Sequence, residues 1–347
     1  MSLVTRYPYL GPRVRFLKSK LLDMNIIKNM IFTTSSDEFF SLLGNTSYSS
    51  IVSRLSKDTS TQEFSLRVKE NAAREVASIA ITAPHLVRKT LMDYLLKFEV
   101  DNIKSIAKAI LANMDRRSLE ASLNMAVEEA MGRRHIMADL ISSSNLSDLA
   151  DRLKAQGHIA YRAFSKALEL MHNHQDIQIA VLDTLLESSY MEALTHYVRY
   201  DESLKEVVTD MVDFYNLNIL FRGSLWNLSA QVIDDLTIKF GNVYKVPPEE
   251  PGRLLESLSQ HPIVANIFSV VRQATIVDAV RLLHASYFTY MMKKAKTIFG
   301  KYTEFAPGAA LVISHARDLE GDMVSSIFNM VKLNISKDIR QELFILL

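Results

Sequence analysis

The sequence predicts an all-α protein made of three similar groups of helices. Ten Gly and eight Pro in 347 residues are about half the usual share, and strand-rich folds need turn residues often. Apolar residues recur with the period of a helix, and no run alternates long enough to demand a strand. Three short sequence elements also return in the same order along the chain.

The helical segments follow in order. Over Arg13–Ile31, Val14, Phe16, Leu17, Leu21, Leu22, Met24 and Ile27 fall near one stripe. From Gln62 to Leu111 the pattern persists for some fifty residues, and Pro84 should break it. Phe164–Tyr200, Asp201–Ser229 and Ala274–Gly300 read the same way. Ser36, Ser147 and Asp201 suit helix N-caps, and Gly300 suits a C-terminal stop. Tyr244–Gly252 holds three of the eight prolines and is the best linker candidate.

The repeats rest on three anchors. Phe39, Leu149 and Leu254 open equivalent short helices, with offsets of 110 and 105. Asn102, Asn218 and Met323 mark a later helix, offset by 116 and 105. Leu119, Val232 and Ile339 begin the third element, offset by 113 and 107. The implied units are residues 1–130, 131–245 and 246–347. A period near 110 favours three compact lobes around a pseudo-threefold axis over a solenoid, whose repeats run to about 34–47 residues.

Composition excludes several chemistries. With no Cys, disulfides, Cys-ligated zinc, Fe–S clusters and thiol nucleophiles drop out, and a reducing compartment is expected. Forty basic and 39 acidic residues create no field that would draw the chain to nucleic acid. The apolar stretches Val76–Val87, His261–Val271 and Phe305–Ser314 are short of the roughly 20 residues that span a bilayer. The first twenty residues carry no signal-peptide core. A soluble chain is expected.

Motifs for catalysis are missing as well. No P-loop, G-x-G-x-x-G, H-E-x-x-H or G-x-S-x-G occurs. His172 and His174 are the one close histidine pair, and two residues apart on a helix they point to different sides. His158, His284 and His315 are isolated, as surface or satisfied core histidines usually are. The acid pairs Glu128/Glu129, Asp234/Asp235 and Glu249/Glu250 read as solvated helix faces rather than acid–base sites. Trp226 reads as core. Lys293, Lys294 and Lys296 read as a solvated face, with lipid headgroups or an acidic partner as the functional alternative. Asn102 and Asn218, in otherwise apolar helices, either bridge helices or line the axis.

A family resemblance rests on several of these stretches. Tyr9 with Arg13 to Leu22 resembles the opening pattern of the C subunit of archaeal/vacuolar-type rotary ATPases, related to the d subunit of eukaryotic V-ATPase. Phe39 to Leu43 with Asn45-Thr46-Ser47-Tyr48 is similar to its next segment. Phe98 to Lys104 resembles its Asp-Asn-hydrophobic-Lys helix, and Asn218 with Arg222 resembles the second copy. Asp318 to Ile327 and Ile339 to Leu346 resemble the third, with Met323-Val324-Ser325 departing from its Asn-Leu-Arg. The resemblance implies a funnel of three lobes with no catalytic site and no cofactor. It implies a place between the D and F subunits of the central stalk and the membrane proteolipid ring, with torque passed between them. Asn102, Asn218 and Arg222 are then candidate axial positions. A helical scaffold of another class, and a cofactor-free enzyme using interlobe carboxylates, are the alternatives.

Overall fold

A computed structural model describes residues 9–56, 58–173, 178–247 and 250–347. Among these residues every regular element is helical, as the sequence predicts. The chain runs through α1 (Leu10–Ser19), α2 (Met24–Ile31), α3 (Ser36–Gly44), α4 (Ser49–Val52), α5 (Thr61–Ala80) and α6 (His85–Leu111). It continues through α7 (Arg116–Ser122), α8 (Met125–Met131), α9 (Arg134–Ile141), α10 (Leu146–Ala155), α11 (Ala160–Asn173) and α12 (Gln178–Thr195). After α13 (Glu202–Leu225) and α14 (Ala230–Leu236) comes a 3₁₀ turn, Val243–Lys245. The remaining helices are α15 (Pro251–Ser257), α16 (Pro262–Val270), α17 (Ile276–Lys301), α18 (Pro307–Lys332) and α19 (Lys337–Leu343).

Most boundaries have a local cause. Pro84 is the N-cap residue of α6 and divides the long periodic stretch at the expected place. Asp201 caps α13 by accepting from Leu204 N at 3.1 Å. The stretch Arg13–Ile31 is two helices rather than one, because Asp23 is extended and caps α2 through Asn25 N. The caps expected at Ser36 and Ser147 lie instead at Ser35 and Asn145. There the acids three residues on, Glu38 and Asp148, bond back to Thr34 N and Ser144 N. Gly300 sits inside the last turn of α17, which Thr275 and Asp278 start with a reciprocal capping box. His174 and Glu249 lie outside the described residues.

Cap positions repeat along the chain. Asn113, Asn227 and Asn334, just past the ends of α6, α13 and α18, have φ of 49°, 52° and 54°. Asn tolerates this left-handed conformation better than other non-glycine residues. Two residues later Asp115, Ser229 and Ser336 each cap a seven-residue helix, α7, α14 and α19. Upstream, Ser35, Asn145 and Glu250 occupy the N-caps of α3, α10 and α15. The first anchor residues Phe39, Leu149 and Leu254 are all buried.

Six long helices pack in a closed order: α5 on α6, α6 on α12, α12 on α13, α13 on α17, α17 on α18 and α18 back on α5. Across the middle, α18 also packs on α6 and α13. Phe39 and Phe40 of α3, Phe64 of α5 and Phe328 of α18 form one aromatic cluster with centroids 4.6–6.0 Å apart. This cluster ties the N-terminal helices to the last long one.

Candidate functional site

The three helices α6, α13 and α18 run in the same direction. Tyr94 meets His315, and one turn on Lys97 meets Asp318. Both residues of each pair stand the same distance before their terminal asparagine, nineteen and sixteen residues respectively. At the other flank the N-terminal turns of α13 and α18 touch, with Gly308 N donating to Ser203 Oγ at 2.9 Å. All three C-terminal ends therefore lie toward one end of the bundle.

Along this axis runs a buried hydrogen-bonded chain. Tyr287 of α17 bonds His315 Nε2 at 2.8 Å, and His315 Nδ1 meets Tyr94 OH at 3.0 Å. Tyr94 OH also reaches Asp318 Oδ2 at 3.0 Å, and Asp318 pairs with Lys97. Phe214 of α13 stacks on Tyr287 at 3.9 Å, and Tyr190 of α12 stands edge-on to Tyr94 at 6.5 Å. Burial, aided by the Lys97 charge, pushes His315 down to about 3. The imidazole is neutral near pH 7 and serves as a fixed link between two tyrosines. Burial opposes the Lys97 ammonium, but Asp318 together with Tyr94, Asp322 and Tyr190 outweighs it and holds its pKa well above the usual lysine range. With every member partnered, the chain is a rigid pin between helices.

A second buried network anchors the N-terminal segment. Arg317 of α18 pairs with Glu75 of α5 at 2.9 Å and with Glu320, and lies over the Tyr48 ring at 4.1 Å. Glu320 in turn accepts from Leu22 N and from Tyr48 OH.

Toward the C-terminal ends of α6 and α13 lies a cavity of about 1080 Å³. On one side Lys104 and Lys108 of α6 pair with Glu187 and Asp183 of α12, at 3.7 and 2.7 Å. On the other, α13 presents Asn218, Arg222 and Trp226. Among the described residues Arg222 has no carboxylate partner. Lys108 and Arg222 stand five residues before Asn113 and Asn227, so the two cations are equivalent in position. Leu111, Met114, Trp226 and Leu333 are exposed at these helix ends. Trp226, at 46% exposure, does not pack in the core as its spacing suggested. It follows the last residue of α13, where the helix no longer directs it inward.

The structure separates the other sequence candidates. Asn102 is buried and bridges: its Nδ2 donates to Asn124 O and Glu128 Oε1, both at 3.1 Å, and its Oδ1 accepts from Asn124 N. Its counterpart is Asn216, not Asn218. Asn216 makes the same paired bonds twenty-two residues downstream, with Ile238 O and N. Asn218 instead lines the cavity. Met323 occupies the matching position of α18. Lys294 turns inward, paired with Glu206 at 2.9 Å and with Asp210 of α13, whereas Lys293 and Lys296 are exposed. Glu128 is fully buried, so the acid pair it forms with Glu129 is not a solvated face. Asn102 draws it in, while Glu129 meets Arg134 outside. Among the described residues no helix is long and apolar enough to cross a membrane, and no cluster of ligating side chains could hold a metal ion.

Long helices in closed packing order, with a buried polar chain between them and a cavity toward the C-terminal ends of α6 and α13, define an all-helical protein. Comparison with known proteins gives the family. The pattern of the ATP synthase (C/AC39) subunit family matches residues 10–343, and the chain belongs to that family. The C subunit of the V-type ATP synthase of Deinococcus radiodurans is 20% identical over 60% of this chain and 58% of its own. The C subunit of the A-type ATP synthase of Methanocaldococcus jannaschii is 23% identical over 65% of this chain and 56% of its own. The matched part thus spans little more than half the length of these relatives.

Proposed function

We propose that the chain is the non-catalytic central-stalk subunit of an archaeal/vacuolar-type rotary ATP synthase. On this reading it joins the D and F subunits of the rotor shaft to the membrane proteolipid ring, as a peripheral protein on the cytoplasmic face. It passes torque while ions drive ATP synthesis or ATP drives ion pumping. Residues 1–130, 131–245 and 246–347 are its three lobes around a pseudo-threefold axis. The recurring caps after α6, α13 and α18, and the closed packing order of the long helices, support that division.

The observation that carries the reading is the cavity between α6, α12 and α13, toward the C-terminal ends of α6 and α13. Mixed charge inside and exposed apolar residues at the rim suit the tip of a helical shaft, which needs grip from apolar contact and orientation from polar pairs. A torque adaptor must also be stiff, and the buried chain from Tyr287 to Lys97 resists relative sliding of α6, α17 and α18. Lys293 and Lys296, on the outer side of α17, suit contact with an acidic partner or anionic headgroups. The test is recovery of the chain's partners from native membranes. Shaft subunits and proteolipid in the eluate support the assignment; an intact ATPase complex lacking this chain overturns it.

A further inference from the structure

Where the first helices of the chain meet the next, four segments converge on a polar cluster that the axis and cavity do not use. Glu99 and Asn102 come from α6, Asn124 and Glu128 from the start of α8 and its cap, Arg133 from the turn before α9, and His158 from the turn after α10. The Glu99 and Glu128 side chains are fully buried. Glu99 Oε1 lies 3.2 Å from Arg133 Nε and Glu99 Oε2 lies 3.3 Å from His158 Nε2, within ion-pair distance but outside hydrogen-bond geometry. His158 Nδ1 accepts from Ala160 N at 3.1 Å. A neutral His158 therefore carries its proton on Nε2, facing Glu99.

Glu128 has half a set of partners. Its Oε1 accepts from Asn102, while its Oε2 is buried without one. Both polar atoms of the buried Asn124 side chain are likewise unpartnered. The adjoining hollow, about 820 Å³, is lined by Asn102 and Asn124 and reaches neither carboxyl. One cation, Arg133, thus faces two buried acids, which cannot both be ionised cheaply.

We propose that Glu99 and Glu128 form a buried binding site for a single proton, which clamps α8 and α9 onto α6 and loosens when the proton leaves. The proton resides on Glu128, whose Oε2 has no donor, while Glu99 faces Arg133 and His158. Burial first, and then the Glu99 charge, raise Glu128 to about 8, against the opposing Asn102 hydrogen bond and Arg133. Helix α5, which packs on the same side of α8, adds no charge to that set. The site stands apart from the rotary reading, since it acts within the isolated chain.

Linkage fixes the direction of the pH effect. The folded chain binds this proton up to about pH 8, whereas an unfolded Glu releases it near its ordinary value of 4.5. Stability from the site is therefore fullest below pH 4.5, falls through the interval to pH 8, and is level above it. Within that window the folding constant loses about tenfold per pH unit relative to a chain without the site.

The test compares the full chain with Glu128→Gln by urea unfolding at half-unit steps from pH 5 to 9.5. The wild-type-to-variant ratio of folding constants should fall about tenfold per unit and then level near pH 8. Carbon-13 spectra of Glu-labelled wild type should show one side-chain carboxyl titrating above pH 7, absent from the variant. Hydrogen exchange in Asn124–Arg133, corrected for intrinsic rate, should accelerate with pH in the wild type alone. Parallel pH profiles for the two chains, or no carboxyl titrating above pH 6.5, would overturn the proposal. Should Glu128→Gln fail to fold, the wild-type carbon titration decides alone.

Discussion

Gly308→Ala probes the contact that sets α13 and α18 side by side. Gly308 lies in the first turn of α18, where an added Cβ would stand 2.2 Å from Ser203 O and 2.3 Å from Ser203 C. Backbone cannot swing aside as a side chain can, so the helices must separate by about 1 Å to restore van der Waals contact. Alanine itself favours the folded state by about 0.4–1 kcal/mol through the lower entropy of the unfolded chain. Overpacking a close contact costs about 1–3 kcal/mol, toward the upper end for backbone, and the bond from Gly308 N to Ser203 Oγ adds about 1 kcal/mol when stretched. The net is a loss of about 2–3 kcal/mol, read as a lower urea midpoint with an unchanged slope. Gly300→Ala is the control, because its Cβ meets nothing within 4 Å inside α17. It should gain about 0.5–1 kcal/mol. If Gly308→Ala proves as stable as Gly300→Ala, the tight parallel approach of α13 and α18 is wrong.

Other perturbations separate structural from surface roles. Asn102→Ala and Asn216→Ala each strip a buried two-way bridge and should cost about 1–3 kcal/mol in urea melts, while Asn218→Ala stays within about 0.5 kcal/mol. Lys97→Met leaves the Asp318 carboxylate buried without its cation, and thermal and urea unfolding should register a loss of about 3–5 kcal/mol. His315, whose folded pKa lies below the unfolded one, stabilises fully above pH 6.5 and loses that contribution as pH falls toward 3. Its ring resonances should not titrate between pH 5 and 8, and His315→Phe should flatten the acid side of the stability profile.

Much of the fold was legible because helical period and cap chemistry are local. The first anchor, Phe39, Leu149 and Leu254, has the spacing of the observed caps Ser35, Asn145 and Glu250. The second slipped by two residues in one copy, placing Asn218 where Asn216 belongs. Two apolar-rich helices aligned by one polar residue leave such a slip undetected. The asparagines Asn113, Asn227 and Asn334, spaced by 114 and 107, carry the true register in plain view. Trp226 and Glu128 misled for opposite reasons. Side-chain size argued for burial of the first and charge for exposure of the second, yet the end of a helix and a distant Asn102 decided them. The axial chain was not legible at all, since Tyr94 and His315 are 221 residues apart and only the closure of the long helices brings them together.

The cavity offers the sharpest test of the proposed role, because its rim can be altered without touching the core. Trp226 is 46% exposed and Arg222 has no carboxylate partner among the described residues. Replacing either removes little that the isolated chain uses, so Trp226→Ala and Arg222→Glu should keep the wild-type urea midpoint within about 0.5 kcal/mol. An exposed aromatic beside a cation at the centre of an interface is the kind of residue whose loss weakens binding by about 2 kcal/mol or more, roughly thirtyfold in affinity. Charge reversal at Arg222 also sets two carboxylate-bearing walls, α12 and α13, across from each other and should repel an acidic segment of a shaft. Binding of the purified D–F pair by calorimetry reads both effects directly. Lys293→Glu, on the outer side of α17, is expected to leave that affinity unchanged. Loss of shaft binding with Lys293→Glu, and none with the two cavity variants, would place the shaft on another face of the molecule.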